Sequence, residues 1–95
     1  MSPYVAHVTV MLKPLVNDPA GLAVRDGLSA LGFDGVEAVR VGKRLVVTLS
    51  APDAEEAARL VNAMCDQLLA NPVIEDFVVE IVDGASDTTA AAPPS

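Results

Sequence analysis

Tryptophan is absent from this chain, and two phenylalanines and one tyrosine are its only aromatic side chains. Proteins that hold single-stranded nucleic acid stack bases on such rings, so that mode of binding has little to work with. Basic residues are also scarce: six Lys and Arg stand against thirteen Asp and Glu, for a net charge of -7. A phosphate backbone or an anionic bilayer would approach against the protein's own field, so neither nucleic acid nor membrane is expected as a partner. Cysteine occurs once, at Cys65, which leaves no internal disulfide and no thiolate-rich metal site. No apolar run approaches the roughly 20 residues of a membrane-crossing helix. No basic segment followed by an apolar signal core opens the chain, and a cytoplasmic location is expected.

What is present is apolar and aliphatic. Hydrophobic residues make up 52% of the 95 positions, enough to fold and too short a chain to divide into two cores. Tyr4 to Lys13 alternate, with Tyr4, Ala6, Val8, Val10 and Leu12 on one side and Val5, His7, Thr9 and Met11 on the other, which predicts a first strand. Asp18 is placed to cap a helix that has Pro19 at its first position and runs to about Leu31, where Gly32 closes it. Val36 to Ser50 is rich in β-branched residues and broken at Gly42-Lys43-Arg44, which predicts a hairpin of two strands.

Asp53 then opens a second helix, with Glu55 and Glu56 in its first turn and Ala57, Val61, Met64 and Leu68 as its inward stripe. Asn71-Pro72 stops it, and Phe77 to Val82 alternate as a last strand. The domain is therefore expected over residues 1–83, with an Ala/Pro-rich disordered tail over residues 84–95. Strand, helix, strand, strand, helix, strand is the split βαβ order of ferredoxin-like α+β domains, a four-stranded antiparallel sheet with both helices on one face. The other face, with Val5, Val46, Val78 and Val82, reads as too apolar for water and predicts self-association, through that face or by strand-edge pairing.

Chemistry is harder to find. His7 is the only imidazole, and a catalytic or metal role would need partners that one histidine does not supply from sequence, so it reads as structural or interfacial. Cys65, between Met64 and Asp66, reads as a small buried hydrophobe with no cation to activate it. Gly42-Lys43 lacks the glycine-rich spacing and following helix of a phosphate loop. Arg40, Lys43 and Arg44 nonetheless put half of the basic residues within five positions, so the expected hairpin tip is where an anionic surface would dock. Asp18, Glu75 and Asp76 each have a reading as caps or turn residues. Nothing assembles a nucleophile, a base and an orienting group, which points to a small oligomerising or adaptor domain.

Several segments together carry a resemblance: L-K-P-L-V-N-D-P-A-G at 12–21, A-L-G-F at 30–33, V-R-V-G-K at 39–43 and L-L-A-N-P-V-I-E-D-F at 68–77. Over residues 4–82 the chain resembles the PurS family, small subunits of phosphoribosylformylglycinamidine synthase. The resemblance implies a ferredoxin-like, non-catalytic subunit of the purine pathway that assembles a glutaminase and a synthetase and couples ammonia delivery between them. The complex would convert formylglycinamide ribonucleotide, glutamine and ATP to formylglycinamidine ribonucleotide. No catalytic, cofactor or metal residue is implied in this chain, and ATP and magnesium would belong to the synthetase partner. A homo-oligomer, dimer or tetramer, is expected. Candidate interface positions are Lys13, Asp18, Arg40, Gly42, Lys43, Arg44, Asn71 and Glu75, with Pro19, Gly21 and Pro72 shaping the adjoining turns.

Two other readings share this element order: a regulatory domain that senses a small molecule, and an acyl-phosphate hydrolase. The second needs an arginine in a glycine-rich loop after the first strand, and residues 12–21 supply Lys13 but no arginine.

Overall fold

The computed structural model of the chain describes residues 1–84, and the tail expected over 84–95 lies outside the described residues but for Gly84. Three strands form one antiparallel sheet in the order β2-β1-β3, with β1 (Ser2–Leu12) central, β2 (Gly42–Ala51) on one side and β3 (Glu75–Asp83) on the other. The alternation read from the sequence sets the register. Val8 lies opposite Leu45 and Val79, and Ala6 opposite Val47 and Ile81, so all these side chains share one face.

Helix α2 (Ala54–Met64) covers that face. Asp53 caps it, accepting the Glu56 N–H at 2.8 Å, and Glu55 and Glu56 sit in the first turn where the helix dipole favours them. Ala57 and Val61 are fully buried, and Val61 packs with Ala6, Val8 and Val10 at the centre of the core. The inward stripe then departs from expectation. Residues Cys65–Leu69 form a π-helical turn, in which the Ala70 N–H donates to the Cys65 carbonyl at 3.0 Å. The wider turn rotates the following side chains relative to a regular helix. Cys65, Leu69 and Ala70 face the core, and Leu68, expected inside, is 83% exposed.

The expected hairpin is absent. Gly42, Lys43 and Arg44 are the first residues of β2, paired with Met11, Val10 and Thr9, and residues 36–41 form no strand. The reason is a long-range contact: the Val41 N–H is taken by the Asp18 carboxylate, and the Val39 carbonyl lies hard against Gly21. The Val41 N–H, which a second strand would have offered to a ladder, is used elsewhere. The described sheet therefore has three strands where four were expected.

Helix α1 (Pro19–Ala30) starts at Asp18 and ends at Leu31, followed by Gly32 at φ 97, as the sequence predicts. It does not lie on the sheet. Its contact with the sheet and α2 is glancing at most, and Gly21 is its only buried residue. One helix, α2, thus covers the face on which two were expected. On the opposite face Val46 and Val78 are exposed as anticipated, whereas Val5, in the central strand between Thr48 and Val82, is fully buried. No helix among the described residues is long and apolar enough to cross a membrane.

Candidate functional site

The end of the sheet where β1 stops and β2 and β3 begin carries most of what the chain offers to other molecules. Beyond Leu12 the chain turns sharply: the Lys13 N–H donates to the Ile74 carbonyl at 2.8 Å, and the Val16 N–H donates to the Lys13 carbonyl at 2.9 Å. The Lys13 ammonium reaches Asp76 at 2.6 Å, tying this turn to β3. Leu15, at its tip, is fully exposed.

Asp18 is 5% exposed and has two tasks. One carboxylate oxygen accepts the Gly21 N–H at 2.9 Å and caps α1, and the other accepts the Val41 N–H at 2.9 Å. Those two N–H groups hold its pKa below the usual aspartate range, the Val41 bond most strongly, with the Arg40 guanidinium adding to the effect. Arg40 completes the arrangement. Its Nε lies 3.8 Å from Asp18, its Nη1 donates to the Val16 carbonyl at 3.2 Å, and its Nη2 donates to the Lys13 carbonyl at 2.9 Å and the Leu12 carbonyl at 3.4 Å. Its planar fork of five fixed donors holds three carbonyls with Nε still turned to Asp18, where a lysine ammonium has three donors and no fixed plane. Gly21 allows the close approach, because a Cβ there would stand 2.1 Å from the Val39 carbonyl oxygen. Residues 19–41 therefore leave the body and return to it at one polar knot.

The arm between the two ends of that knot is apolar and uncovered. Leu31 is 75% exposed and Phe33 58%, and Leu22, Val24 and Val41 are also exposed. Val73 and Ile74, beside the Lys13 turn, add to the same end of the molecule. Two open clefts flank the knot. One of about 380 Å³ is lined by Pro14, Val16, Leu22, Arg25, Val39 and Arg40. The other, about 300 Å³, lies between the start of α1 and the sheet, among Val10, Leu12, Pro19 and Val41, with Lys43 and Glu75 beside them.

The sequence-predicted residues divide accordingly. Lys13, Asp18, Arg40, Gly42, Lys43 and Glu75 gather at this end, though not as a hairpin tip. Arg40 points inward to carbonyls, Lys43 stands by the cleft, and Arg44 reaches His7 Nδ1 at 2.7 Å on the far face, so strand alternation disperses the expected cluster of cations. Asn71 and Glu75 lock their own loop: the Asn71 N–H donates to the Glu75 carboxylate at 2.7 Å, and Asn71 Oδ1 accepts the Val73 N–H at 3.0 Å. The second bond of Asp18 and the carbonyl bonds of Arg40 escaped sequence reasoning. A glycine in the first turn of a helix, where it costs stability, was the one signal of close packing there.

Reactive chemistry is sparse. Burial, with a smaller contribution from Asp66, pushes the Cys65 thiol pKa up, which keeps it protonated and inert. Among the described residues no three His, Cys, Asp or Glu side chains gather as a metal site would require.

A family model described as PurS, phosphoribosylformylglycinamidine (FGAM) synthase, matches residues 5–83. A Synechocystis phosphoribosylformylglycinamidine synthase subunit PurS is 53% identical over 78 residues, 82% of this chain and 78% of that protein. The structure of Bacillus subtilis PurS superposes with a TM-score of 0.76 at 40% identity, covering 84% of this chain and 99% of its own. A chain in the structure of PurLQS from Thermotoga maritima superposes with a TM-score of 0.79 at 28% identity, covering 86% of this chain and all of its own.

Proposed function

This chain belongs to the PurS family, subunits of phosphoribosylformylglycinamidine synthase in purine biosynthesis, and from that membership we propose that it works by docking. In this reading it is the non-catalytic subunit of a glutamine-dependent ligase in the cytoplasm. It assembles a glutaminase with a synthetase and couples the ammonia released by the first to the second. The complex turns formylglycinamide ribonucleotide, glutamine and ATP into formylglycinamidine ribonucleotide, and ATP and magnesium are held by the synthetase. The likeness to a chain of the Thermotoga PurLQS structure supports partners of this kind.

The observation that carries the reading is the uncovered arm. Fully burying a side chain such as leucine, valine or phenylalanine contributes about 1.5–3 kcal/mol over leaving it in water, and this fold forgoes part of that at Leu22 and Val24 and most of it at Leu31 and Phe33. Apolar area of that extent at one end of an acidic chain favours coverage by protein. A second copy of the chain supplies part of it in this reading, giving a homo-oligomer. The edge of β2, which the expected fourth strand of a ferredoxin-like sheet would have taken, offers a further place to pair. Lys43 and Glu75, beside the smaller cleft, serve as polar contacts at the rim of such an interface. Assay of the two large subunits with and without this chain tests the role. Glutamine-dependent turnover should appear only when all three are present, and full turnover by the two large subunits alone would reject it.

A further inference from the structure

We propose that Asp18 and Arg40 are positioning residues: their knot fixes the direction in which the α1 arm leaves the body, and so presents the apolar face on which assembly depends. The inference rests on the docking role proposed above and adds to it the device that aims the docking element. Three observations carry it. The arm makes no more than glancing contact with the sheet or α2, so hydrophobic contact within the chain does not set its angle. Its first turn and its returning strand of chain meet at a single carboxylate, which accepts the N–H groups of Gly21 and Val41 at 2.9 Å each. Arg40, adjoining Val41 in sequence, is bound in turn to the carbonyls of Leu12, Lys13 and Val16, at the end of the central strand.

Capping alone does not account for this geometry. A cap needs one acceptor, and asparagine supplies it as well as aspartate does. The second oxygen of Asp18 accepts the Val41 N–H and faces Arg40 Nε at 3.8 Å, and asparagine offers an uncharged amide nitrogen in its place. The substitution D18N therefore separates the two tasks: it keeps the helix start and removes the tether.

The test uses spin labels at Ser29→Cys on the arm and Thr48→Cys on β2, both exposed, with labelled chain diluted in unlabelled chain. Cys65 is buried and stays unlabelled. The parent should give one narrow distance distribution. D18N should give a distribution at least twice as wide, with the helical circular dichroism unchanged. In reconstituted turnover with both large subunits, D18N should be needed at about tenfold higher concentration for half-maximal rate, the ratio that loss of one charge-assisted hydrogen bond gives. Should D18N fold poorly, Arg40→Gln removes the other half of the knot, the bonds to the Leu12, Lys13 and Val16 carbonyls, and carries the same expectations. An equally narrow distribution in the variant would overturn the proposal, and so would a broadened one with an unchanged half-maximal concentration. If the parent chain itself fails to raise turnover, the docking role is lost, while the distance measurement still decides whether the knot aims the arm.

Discussion

At the scale of single residues, two glycines of α1 make opposite predictions from the same chemistry. Alanine is the better helix former by about 1 kcal/mol. At Gly27 a Cβ meets nothing within 4 Å, so Gly27→Ala should stabilise the chain by about 0.5–1 kcal/mol in urea unfolding. At Gly21 the Cβ would lie 2.1 Å from a backbone carbonyl oxygen, which cannot swing aside as a side chain can. Gly21→Ala should therefore destabilise the arm by about 1–3 kcal/mol despite its better propensity, seen as lost helical signal or a lower urea midpoint. Acid should reveal Asp18 in the same way. Its folded pKa lies below the ordinary aspartate value of 3.8, so its contribution is complete above that value and disappears as pH falls through the lower folded value. The arm should stay in place at pH 5 and loosen in stronger acid, and in D18N this step should be missing from the spin-label titration.

The elements were largely legible in the sequence, and the departures have physical causes. Period-two alternation of aliphatic side chains located β1, the heart of β2 and β3, and Asp18-Pro19 and Asp53 marked both helix starts, because these signals depend only on neighbours in the chain. The hairpin at Gly42 failed because the Val41 N–H bonds to Asp18, which lies far away in sequence, and residues 36–41 stay out of the sheet. Leu68 failed because one wide turn changes the phase of a helix without leaving a trace in residue types. That phase is testable. Leu68→Asp should cost no more than about 0.5 kcal/mol in urea unfolding, as an exposed surface change does, whereas Leu69→Asp should cost about 2 kcal/mol or more by pressing a carboxylate against the apolar core cluster. Equal costs, or the reverse order, would mean that α2 continues as a regular helix.

For the whole molecule, a core built by one helix on a three-stranded sheet leaves an apolar arm without a partner, and the cations expected at one tip are spread over two faces. The candidate site was legible in part: Asp18, Arg40, Lys43 and Glu75 do lie near one another, but the long-range fold, not their sequence spacing, brings them there. In sedimentation equilibrium at micromolar concentration the parent should be an oligomer and the double variant Leu22→Asp, Leu31→Asp a folded monomer. A stable parent monomer would remove self-association from the account. The most direct test of docking through the arm is to titrate this double variant, alongside the parent, into a mixture of the glutaminase and synthetase subunits while following glutamine-dependent turnover. The parent should restore the rate and the folded variant should not; restoration by the variant at the same concentration as the parent would contradict the account.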